Sequence, residues 1–210
     1  MKKKLNSSRA LTRNIAAMLQ LASASDIMEG IEWYARAGRL GQQLANKYGC
    51  TLEQSVGVIA ALSPNNKWRR NCQDAESCIK AWSLGWDVLE VVCCTYPLMK
   101  EKAHRILSLN APSKEAVAEI LNGRKISAFA LSILGEQSAV CVDGHAFAIW
   151  VGERITTTKT PSIGKKLYER IARDYCNVAM RSVAMTGHQL TAAQVQAVTW
   201  VCYRRLMGIK

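Results

Sequence analysis

The sequence predicts an all-α fold, on three observations. Apolar residues recur at helical spacing along most of the 210 residues. Motifs that begin helices precede several of these segments, as in Thr51-Leu-Glu-Gln54 and Thr191-Ala-Ala-Gln194. No two segments show the alternating pattern of paired strands. Hydrophobic residues make up 49% of the chain, so a core can form without disulfide bonds or a structural metal.

The first half of the chain predicts five helices. Asp26 is a favourable N-cap for the second, in which Gly38 and Gly41 are candidate breaks. The third begins at the Thr51 capping box and ends before residues 63–66, Ser-Pro-Asn-Asn, because these residue types favour a turn. The helices are expected over residues 9–21, 26–48, 51–62, from 68 or 71 to 82, and 97–107.

The second half predicts two helices joined by a tight turn, and then three more. Asn122 and Gly123 form the turn, and Gly135 is placed to end the helix that follows. Asp143 is the expected N-cap of the next helix. The polar, threonine-rich residues 153–162 are predicted to be a loop between two lobes. The helices are expected over residues 113–121, 125–134, 143–151, from 162 or 164 to 185 with or without one break, and 191–206.

The chain is strongly basic. It has 28 Lys and Arg against 16 Asp and Glu, a formal charge of +12 at pH 7. The N-terminus begins with Lys2, Lys3 and Lys4, and residues 154–210 hold ten Lys or Arg but two acids. Such a charge suits a polyanion, so we expect DNA or RNA as partner rather than a membrane. No apolar segment approaches the roughly 20 residues of a membrane span, and no signal peptide is visible, which predicts a cytoplasmic protein.

The eight cysteines predict neither a zinc site nor a disulfide framework. Cys93 and Cys94 are adjacent and the other six are scattered, without the C-x-x-C pairs of zinc ribbons. Several lie in apolar helical segments, where a free thiol behaves as a small buried apolar group. The sequence thus predicts free thiols in a reducing compartment, and no metal or other cofactor.

The order of motifs in the middle of the chain is the most informative feature for function. A glycine turn, Gly123-Arg-Lys125, precedes an apolar helix, and Val142-Asp-Gly-His145 begins the next. Upstream stand Val58-Ile-Ala-Ala-Leu-Ser63 and Lys102-Ala-His-Arg-Ile106. This series, over residues 56–152, resembles the helix-hairpin-helix DNA glycosylase superfamily, in particular its endonuclease-III-like members.

The resemblance implies a two-lobed helical bundle that flips a base out of DNA and acts at its N-glycosidic bond. Residues 56–152 would form the glycosylase-like core, and residues 1–55 and 153–210 together the second lobe. No iron–sulfur cluster is expected, because only Cys176 and Cys202 lie near the C-terminus, where many members have four cysteines.

The chain also departs from the family pattern. Its hairpin has one glycine where two are usual, Gly144 replaces a common threonine, and Ala148 replaces a common arginine. These differences indicate a divergent branch. The region is similar to a phage-associated branch whose members have been proposed to join amino acids or polyamines to activated thymines, with release of pyrophosphate.

Asp143 and Lys125 are the predicted catalytic residues. By the resemblance, an uncharged Lys125 attacks the sugar carbon and forms a Schiff base, while Asp143 stabilises positive charge on the sugar. The structural alternatives are that Asp143 is a plain N-cap and that Lys125 contacts phosphate. The residues expected to bind nucleic acid are Ser63, Asn65, Asn66, Trp68, Arg69, Arg70, Gly123, Arg124 and His145, and those expected to line a base pocket are Gln196, Trp200 and Arg204.

Two other functions stay open beside that of a glycosylase. The first is a phage DNA base-modifying transferase on the same scaffold, which needs no lysine nucleophile. The second is a non-catalytic DNA-binding protein that uses the fold for recognition alone. All three have DNA as partner, and a viral protein would act in the host cytoplasm.

Overall fold

The computed structural model describes residues 8–93, 95–156 and 159–209, so the expectations for Lys2 to Lys4 and for Cys94 lie outside the described residues. Over the described ranges the chain has eleven α-helices, one 3₁₀ helix and no strand, which confirms the all-α class. The α-helices are α1 (Ser8–Gln20), α2 (Ala24–Tyr48), α3 (Leu52–Ala61), α4 (Trp68–Ser83), α5 (Pro97–Leu107), α6 (Lys114–Leu121), α7 (Arg124–Ile133), α8 (Gly144–Val151), α9 (Lys165–Ala179), α10 (Ser182–Thr186) and α11 (Ala192–Leu206), and the 3₁₀ helix is Val88–Glu90.

The chain divides into two compact units. The terminal unit consists of Met1–Tyr34 and Gln137–Lys210, and the central unit is the contiguous segment Ala35–Glu136. The lobes expected from the sequence had other limits, at residues 56–152. Residues 153–156 and 159–162, part of the segment expected to join two lobes, lie within the terminal unit.

The terminal unit packs α1 against α8, α9 and α11. Asp174 on α9 is buried and links three of these helices. Its Oδ2 accepts from Trp150 Nε1 at 2.8 Å, and its Oδ1 accepts from Thr12 Oγ1 at 2.9 Å. A buried carboxylate needs such donors to offset the loss of water. The buried aromatic Trp150 is therefore oriented as well as packed.

The start of α2 differs from the sequence prediction, which made Asp26 the N-cap. The helix begins at Ala24, and Asp26 lies in its first turn. Ser23 precedes the helix and makes the cap: its Oγ accepts from the Asp26 N–H at 3.2 Å, and its own N–H donates to Asp26 Oδ2 at 2.8 Å. The carboxylate is free to reach Arg205 because Ser23 supplies the cap, and Arg205 Nη2 lies 2.7 Å from Asp26 Oδ2.

The helix α2 also runs unbroken through Gly38 and Gly41, where the sequence suggested a break. Gly41 permits close packing in the central unit. A Cβ on it would lie 2.8 Å from Val56 Cγ2 of α3, and Ser55 Oγ donates to the Gly41 carbonyl at 2.8 Å. The glycine is thus a contact residue of a continuous helix.

In the central unit, α3 is the buried helix on which α4, α5, α6 and α7 pack. Both predicted capping boxes are present, at Thr51 before α3 and at Thr191 before α11. Gly135 has a left-handed φ of 88° after α7, as predicted for a helix end. None of the described helices has both the length and the apolar character needed to cross a membrane.

Candidate functional site

The predicted hairpin is present in the central unit as α6, a two-residue turn and α7. Asn122 adopts a left-handed φ of 42°, and its N–H donates to the Ala118 carbonyl at 3.1 Å. Gly123 is the N-cap of α7 and has no side chain to cap the helix. Ser127 Oγ ties α7 back to the Ala118 carbonyl at 2.9 Å. The turn therefore presents backbone N–H groups of α7 without a side-chain acceptor of its own.

Lys125 is the second residue of α7 and is exposed, as is Arg124 before it. Both cations lie in the first helical turn, where the helix dipole favours an anion rather than a cation. Phe129, one turn further along α7, packs edge-on against Trp68 of α4, with ring centroids 6.5 Å apart. Lys125 thus lies on the helix that contacts the predicted stacking residue.

The start of α4 resembles that of α7. Its N-cap is Lys67, which makes no side-chain cap, and its first turn holds Arg69 and Arg70 but no acid. Trp68 remains 39% exposed, enough of an aromatic face to stack on a base. The sequence placed Trp68, Arg69 and Arg70 together at a DNA-binding surface, and the structure places all three in one helical turn of the central unit.

The loop of residues 63–66 is anchored rather than loose. Asn66 Nδ2 donates to Asp74 Oδ2 at 2.9 Å, and Arg70 Nε donates to Asp74 Oδ1 at 2.7 Å. Asn65 has a left-handed φ of 56° and hydrogen-bonds through Nδ2 to the Tyr96 hydroxyl. Ser63 Oγ donates to a carbonyl of α3. Asn65 is therefore the exposed tip of the loop, and Asn66 serves partly to hold it.

Asp143 is the N-cap of α8 in the terminal unit, as predicted. Its Oδ1 accepts from the Ala146 N–H at 2.8 Å, and its Oδ2 accepts from Trp200 Nε1 of α11 at 3.2 Å. Each oxygen thus has a fixed donor, while the residue stays half-buried. Burial raises the pKa of Tyr175, and the nearby Asp143 carboxylate raises it further, so that this phenol stays neutral.

His145 stands beside Asp143, in the first turn of α8. Its ring centroid lies 6.4 Å from that of Trp200 and 5.6 Å from that of Tyr203. The Nδ1 atom is buried and has no hydrogen-bond partner among the described residues. A buried polar atom without a partner is costly, which fits a water or a ligand atom in this position.

The three predicted pocket residues have different surroundings. Gln196 is 4% exposed, and its Oε1 accepts from the buried Tyr34 hydroxyl at 2.7 Å, so it belongs to the core of the terminal unit. Trp200 binds Asp143, and its ring packs edge-on against Trp33. Arg204 stacks on Trp200, with Cζ 4.4 Å from the ring centroid. Trp200 therefore contacts both the Asp143 carboxylate and the Arg204 guanidinium.

The chain was compared with protein families, curated proteins and solved structures. A family model described as a family of unknown function, DUF7178, matches residues 1–206. The chain belongs to the DUF7178 family. No curated protein and no solved structure matches it.

A groove that the sequence did not predict lies in the terminal unit of this DUF7178 chain. It has a volume of about 830 Å³ and runs along α1, α9 and α10. Arg13, Arg181 and the buried Asp174 are among the residues that line it. Its lining residues come from three helices, and the periodicity of one helix does not show which residues of different helices enclose a groove.

The site residues fall into two groups. Asp143, His145 and Trp200 belong to the terminal unit, whereas Lys125 and the loop of residues 63–66 belong to the central unit. The first group offers a fixed carboxylate beside aromatic rings and an imidazole, and the second offers cations and an exposed aromatic. Within the described parts of the chain, no cluster of three His, Cys, Asp or Glu could hold a metal ion.

Proposed function

We propose that this DUF7178 protein is a DNA glycosylase-like enzyme, which flips a base out of DNA and acts at its N-glycosidic bond. Asp143 is the residue that stabilises positive charge on the sugar. The observation that carries the proposal is the fixed carboxylate of Asp143, which follows two helices joined by a two-residue turn, α6 and α7, in the chain. The same order of elements characterises the superfamily that the sequence resembles.

The geometry of Asp143 suits electrostatic stabilisation of a transition state. A carboxylate that already has its donors in place need not reorganise when charge develops nearby. The Ala146 N–H and Trp200 Nε1 hold one oxygen each, and the residue is half-buried, so it remains accessible. A residue that serves only as an N-cap needs only the hydrogen bond from the Ala146 N–H. The second hydrogen bond, from Trp200, favours a catalytic role for Asp143 in addition to capping.

The helix starts support DNA as the partner. Among the helices whose first turns the structure describes, α4, α7 and α9 begin with exposed cations, without an acid there and without a side-chain cap. Proteins usually place acids at helix starts, because the backbone N–H groups there carry partial positive charge. Cations at the same place add to that charge, so the combination suits a phosphate. The formal charge of +12 agrees with this assignment.

The exposure of Lys125 favours a second candidate function. An amine must be uncharged to attack a sugar carbon, and burial is one way to favour the neutral form. Lys125 is exposed and lies at an uncapped helix start, which suits a phosphate contact. A transferase that acts on an activated thymine side group needs no lysine nucleophile. We therefore retain DNA base modification on the same scaffold as the second candidate.

The variant Asp143→Asn tests the proposed function. Asparagine caps helices as well as aspartate does, so α8 is expected to persist. Its amide NH₂ cannot accept from Trp200 Nε1, so the melting temperature should fall by a few degrees while the protein stays folded. The negative charge is lost, so base release should fall on the order of 10²-fold or more. The measurement is mass spectrometry of free bases and abasic sites after incubation with duplexes that carry damaged or modified bases.

A matched control is Asp87→Asn, because Asp87 also caps a helix, with its side chain accepting from the Leu89 N–H in the central unit. Its base release should equal that of the wild type. Full base release by Asp143→Asn would contradict the role of this carboxylate.

Other experiments test the remaining functions. Borohydride trapping on abasic DNA, with Lys125→Met as control, tests whether Lys125 forms a Schiff base. Mass analysis of nucleosides from hypermodified DNA tests whether the protein transfers a group to thymine. DNA binding without any of these activities would indicate the non-catalytic alternative.

A further inference from the structure

Two cysteines of the central unit lie in contact. Cys78 is on α4, and Cys93 lies outside the described helices, between the 3₁₀ helix and α5. Their Sγ atoms are 3.4 Å apart, and both thiols are free. The S–S bond of a disulfide is about 2.05 Å long, so a shift of about 1.4 Å would bring the two sulfurs to bonding distance. Cys93 lies outside any helix, where the backbone can adjust more easily than on α4.

The two thiols differ in exposure and in acidity. Cys78 is fully buried, whereas Cys93 is half-buried and can meet a small oxidant. The hydrogen bond from the Cys78 thiol lowers the pKa of Cys93 and, with the weaker effects of Lys100 and Arg70, outweighs burial and the Asp74 carboxylate, which raise it. The same hydrogen bond and burial raise the pKa of Cys78. The difference between the two thiols resembles that of redox cysteine pairs. In those pairs an accessible thiolate is oxidised first, and a neighbouring thiol then attacks the oxidised sulfur to form a disulfide.

We propose that Cys78 and Cys93 form an oxidation site, which closes to an intramolecular disulfide when the protein meets a peroxide. The Cys93 thiolate attacks one peroxide oxygen, the O–O bond breaks, and Cys93 becomes a sulfenic acid while water or an alcohol leaves. Cys78 sulfur then attacks the Cys93 sulfur, the S–O bond breaks, and water leaves. Two electrons pass from the thiol pair to the peroxide, and reduction by a dithiol restores both thiols.

The bond would tie the chain at Cys93 to α4. Two residues near Cys93 already have anchors in the central unit: Lys100 Nζ donates to the Val91 carbonyl at 3.0 Å, and Asn65 Nδ2 donates to the Tyr96 hydroxyl. A covalent link between Cys78 and Cys93 adds a third and restricts the unfolded chain. The oxidised protein should therefore melt at a higher temperature than the reduced one. This site does not depend on the proposed function.

The test is oxidation of the reduced full-length protein with a small excess of hydrogen peroxide, followed by alkylation and intact-mass analysis. We expect the monomer to lose two hydrogens and two of its eight alkylatable thiols, with one cross-linked peptide that joins Cys78 to Cys93. A dithiol should reverse the change. An unchanged thiol count, a disulfide-linked dimer, or a cross-link from Cys78 to Cys94 would overturn the proposal.

The variants sharpen the test. Cys93→Ser should abolish the cross-link, and Cys72→Ser, at a half-buried thiol on the same helix α4, should leave it intact. Cys78→Ser alters a buried position, so its melting curve should be recorded first. In that variant a sulfenic acid can no longer be resolved, and a dimedone-type reagent should label Cys93. Labelling of other cysteines without Cys93 would refute the assignment of Cys93 as the reacting thiol.

Discussion

Asp26 and Arg205 form an ion pair that ties the start of α2 to the end of α11. Burial acts to raise the pKa of the Asp26 carboxyl, but hydrogen bonds from Arg205 and Ser23 outweigh it, and the net pKa is lowered. Arg205 Nε lies 3.0 Å from Oδ1 and Nη2 lies 2.7 Å from Oδ2, a two-pronged contact. Because the folded pKa is below the unfolded one, the pair stabilises the fold above about pH 4 and ceases to do so as the pH falls through the folded pKa.

The variant Asp26→Asn tests this pair. At pH 7 we expect its melting temperature to be several degrees lower than that of the wild type, because a charge-assisted contact is lost. The difference should shrink between about pH 4 and pH 2, as the wild-type carboxyl is protonated. Thermal unfolding at a series of pH values measures it. Asp87→Asn, at an exposed helix cap, is the control, and a pH-independent difference for Asp26→Asn would contradict the mechanism.

Individual contacts of the candidate site could not be predicted from sequence. Asp143 and Trp200 were both predicted as site residues, but not the bond between them, because they lie 57 positions apart. The bond from Tyr34 to Gln196 spans 162 positions. Periodicity shows which face of a helix is apolar, but the rotation of one helix against another decides which side chains meet. Asp143 as an N-cap was predictable, since a cap depends on the next few residues alone.

At the scale of elements, α2 approaches α11 closely at Gly30. A Cβ at this position would lie 2.5 Å from Val198 Cα and Cγ2, closer than side chains pack. Alanine favours helices, yet no movement of a flexible side-chain end can relieve overlap with a backbone atom. The glycine is therefore required by packing in the terminal unit rather than by the helix.

We predict that Gly30→Ala lowers the free energy of unfolding by about 1–3 kcal/mol, the range for overpacked sites. Urea unfolding followed by circular dichroism measures it. Gly164→Ala is the control for added volume, because a Cβ there meets no heavy atom within 4 Å and the change should cost only about 0.5 kcal/mol, from replacing a glycine N-cap by alanine. If Gly30→Ala and Gly164→Ala have equal free energies of unfolding, the close approach of α2 to α11 does not contribute to stability.

The uncapped start of α9 provides a test of the phosphate assignment. Gly164→Asp supplies a side-chain acceptor beside Lys165 and Lys166, so we expect a gain of about 0.5 kcal/mol in stability. The same carboxylate should repel phosphate, weaken DNA binding and reduce the steepness of its salt dependence by about one unit. Fluorescence anisotropy with a labelled duplex gives the affinity.

Gly164→Asn separates charge from capping in that test, because asparagine makes the cap without a negative charge. It should stabilise the helix and retain more affinity than Gly164→Asp. If both variants bind DNA as the wild type does, the start of α9 is not part of the DNA-binding surface.

Helix starts were more predictable than helix continuity. The capping boxes at Thr51 and Thr191 and the Pro97 start of α5 follow from local residues, and all are present. The break suggested at Gly38 and Gly41 was wrong, because the glycines serve packing that the local sequence does not reveal. The sequence predicted a helix ending at residue 185 with or without one break, and the structure has a break between α9 and α10, at residues 180–181.

For the whole molecule, the basic charge predicts salt-sensitive DNA binding. Each phosphate contact contributes about −0.9 to the slope of log K against log salt. With four contacts, raising the salt from about 50 to 200 mM should weaken binding on the order of 10²-fold. Anisotropy titrations at several salt concentrations check this. Affinity that does not change with salt would contradict a phosphate-based interface.

The division into units was the least predictable feature of the fold. The sequence predicted the all-α class from periodicity, which is a local property. The limits of the units at residues 34 and 136 depend on which helices pack together, and no glycine- or proline-rich linker marks them. The helix α2 itself continues across one limit, so composition gave no signal there.

The discontinuous terminal unit has a consequence for biosynthesis. The helix α1 packs on α8, α9 and α11, all of which are encoded after the central unit. A ribosome that adds about 5–20 residues per second needs roughly 5–20 s to translate the intervening segment of about 100 residues. During that interval the apolar face of α1, with Leu11, Ile15 and Leu19, lacks α8, α9 and α11, which pack on it in the folded protein. The nascent chain therefore emerges with an exposed apolar helix, a natural target for chaperones.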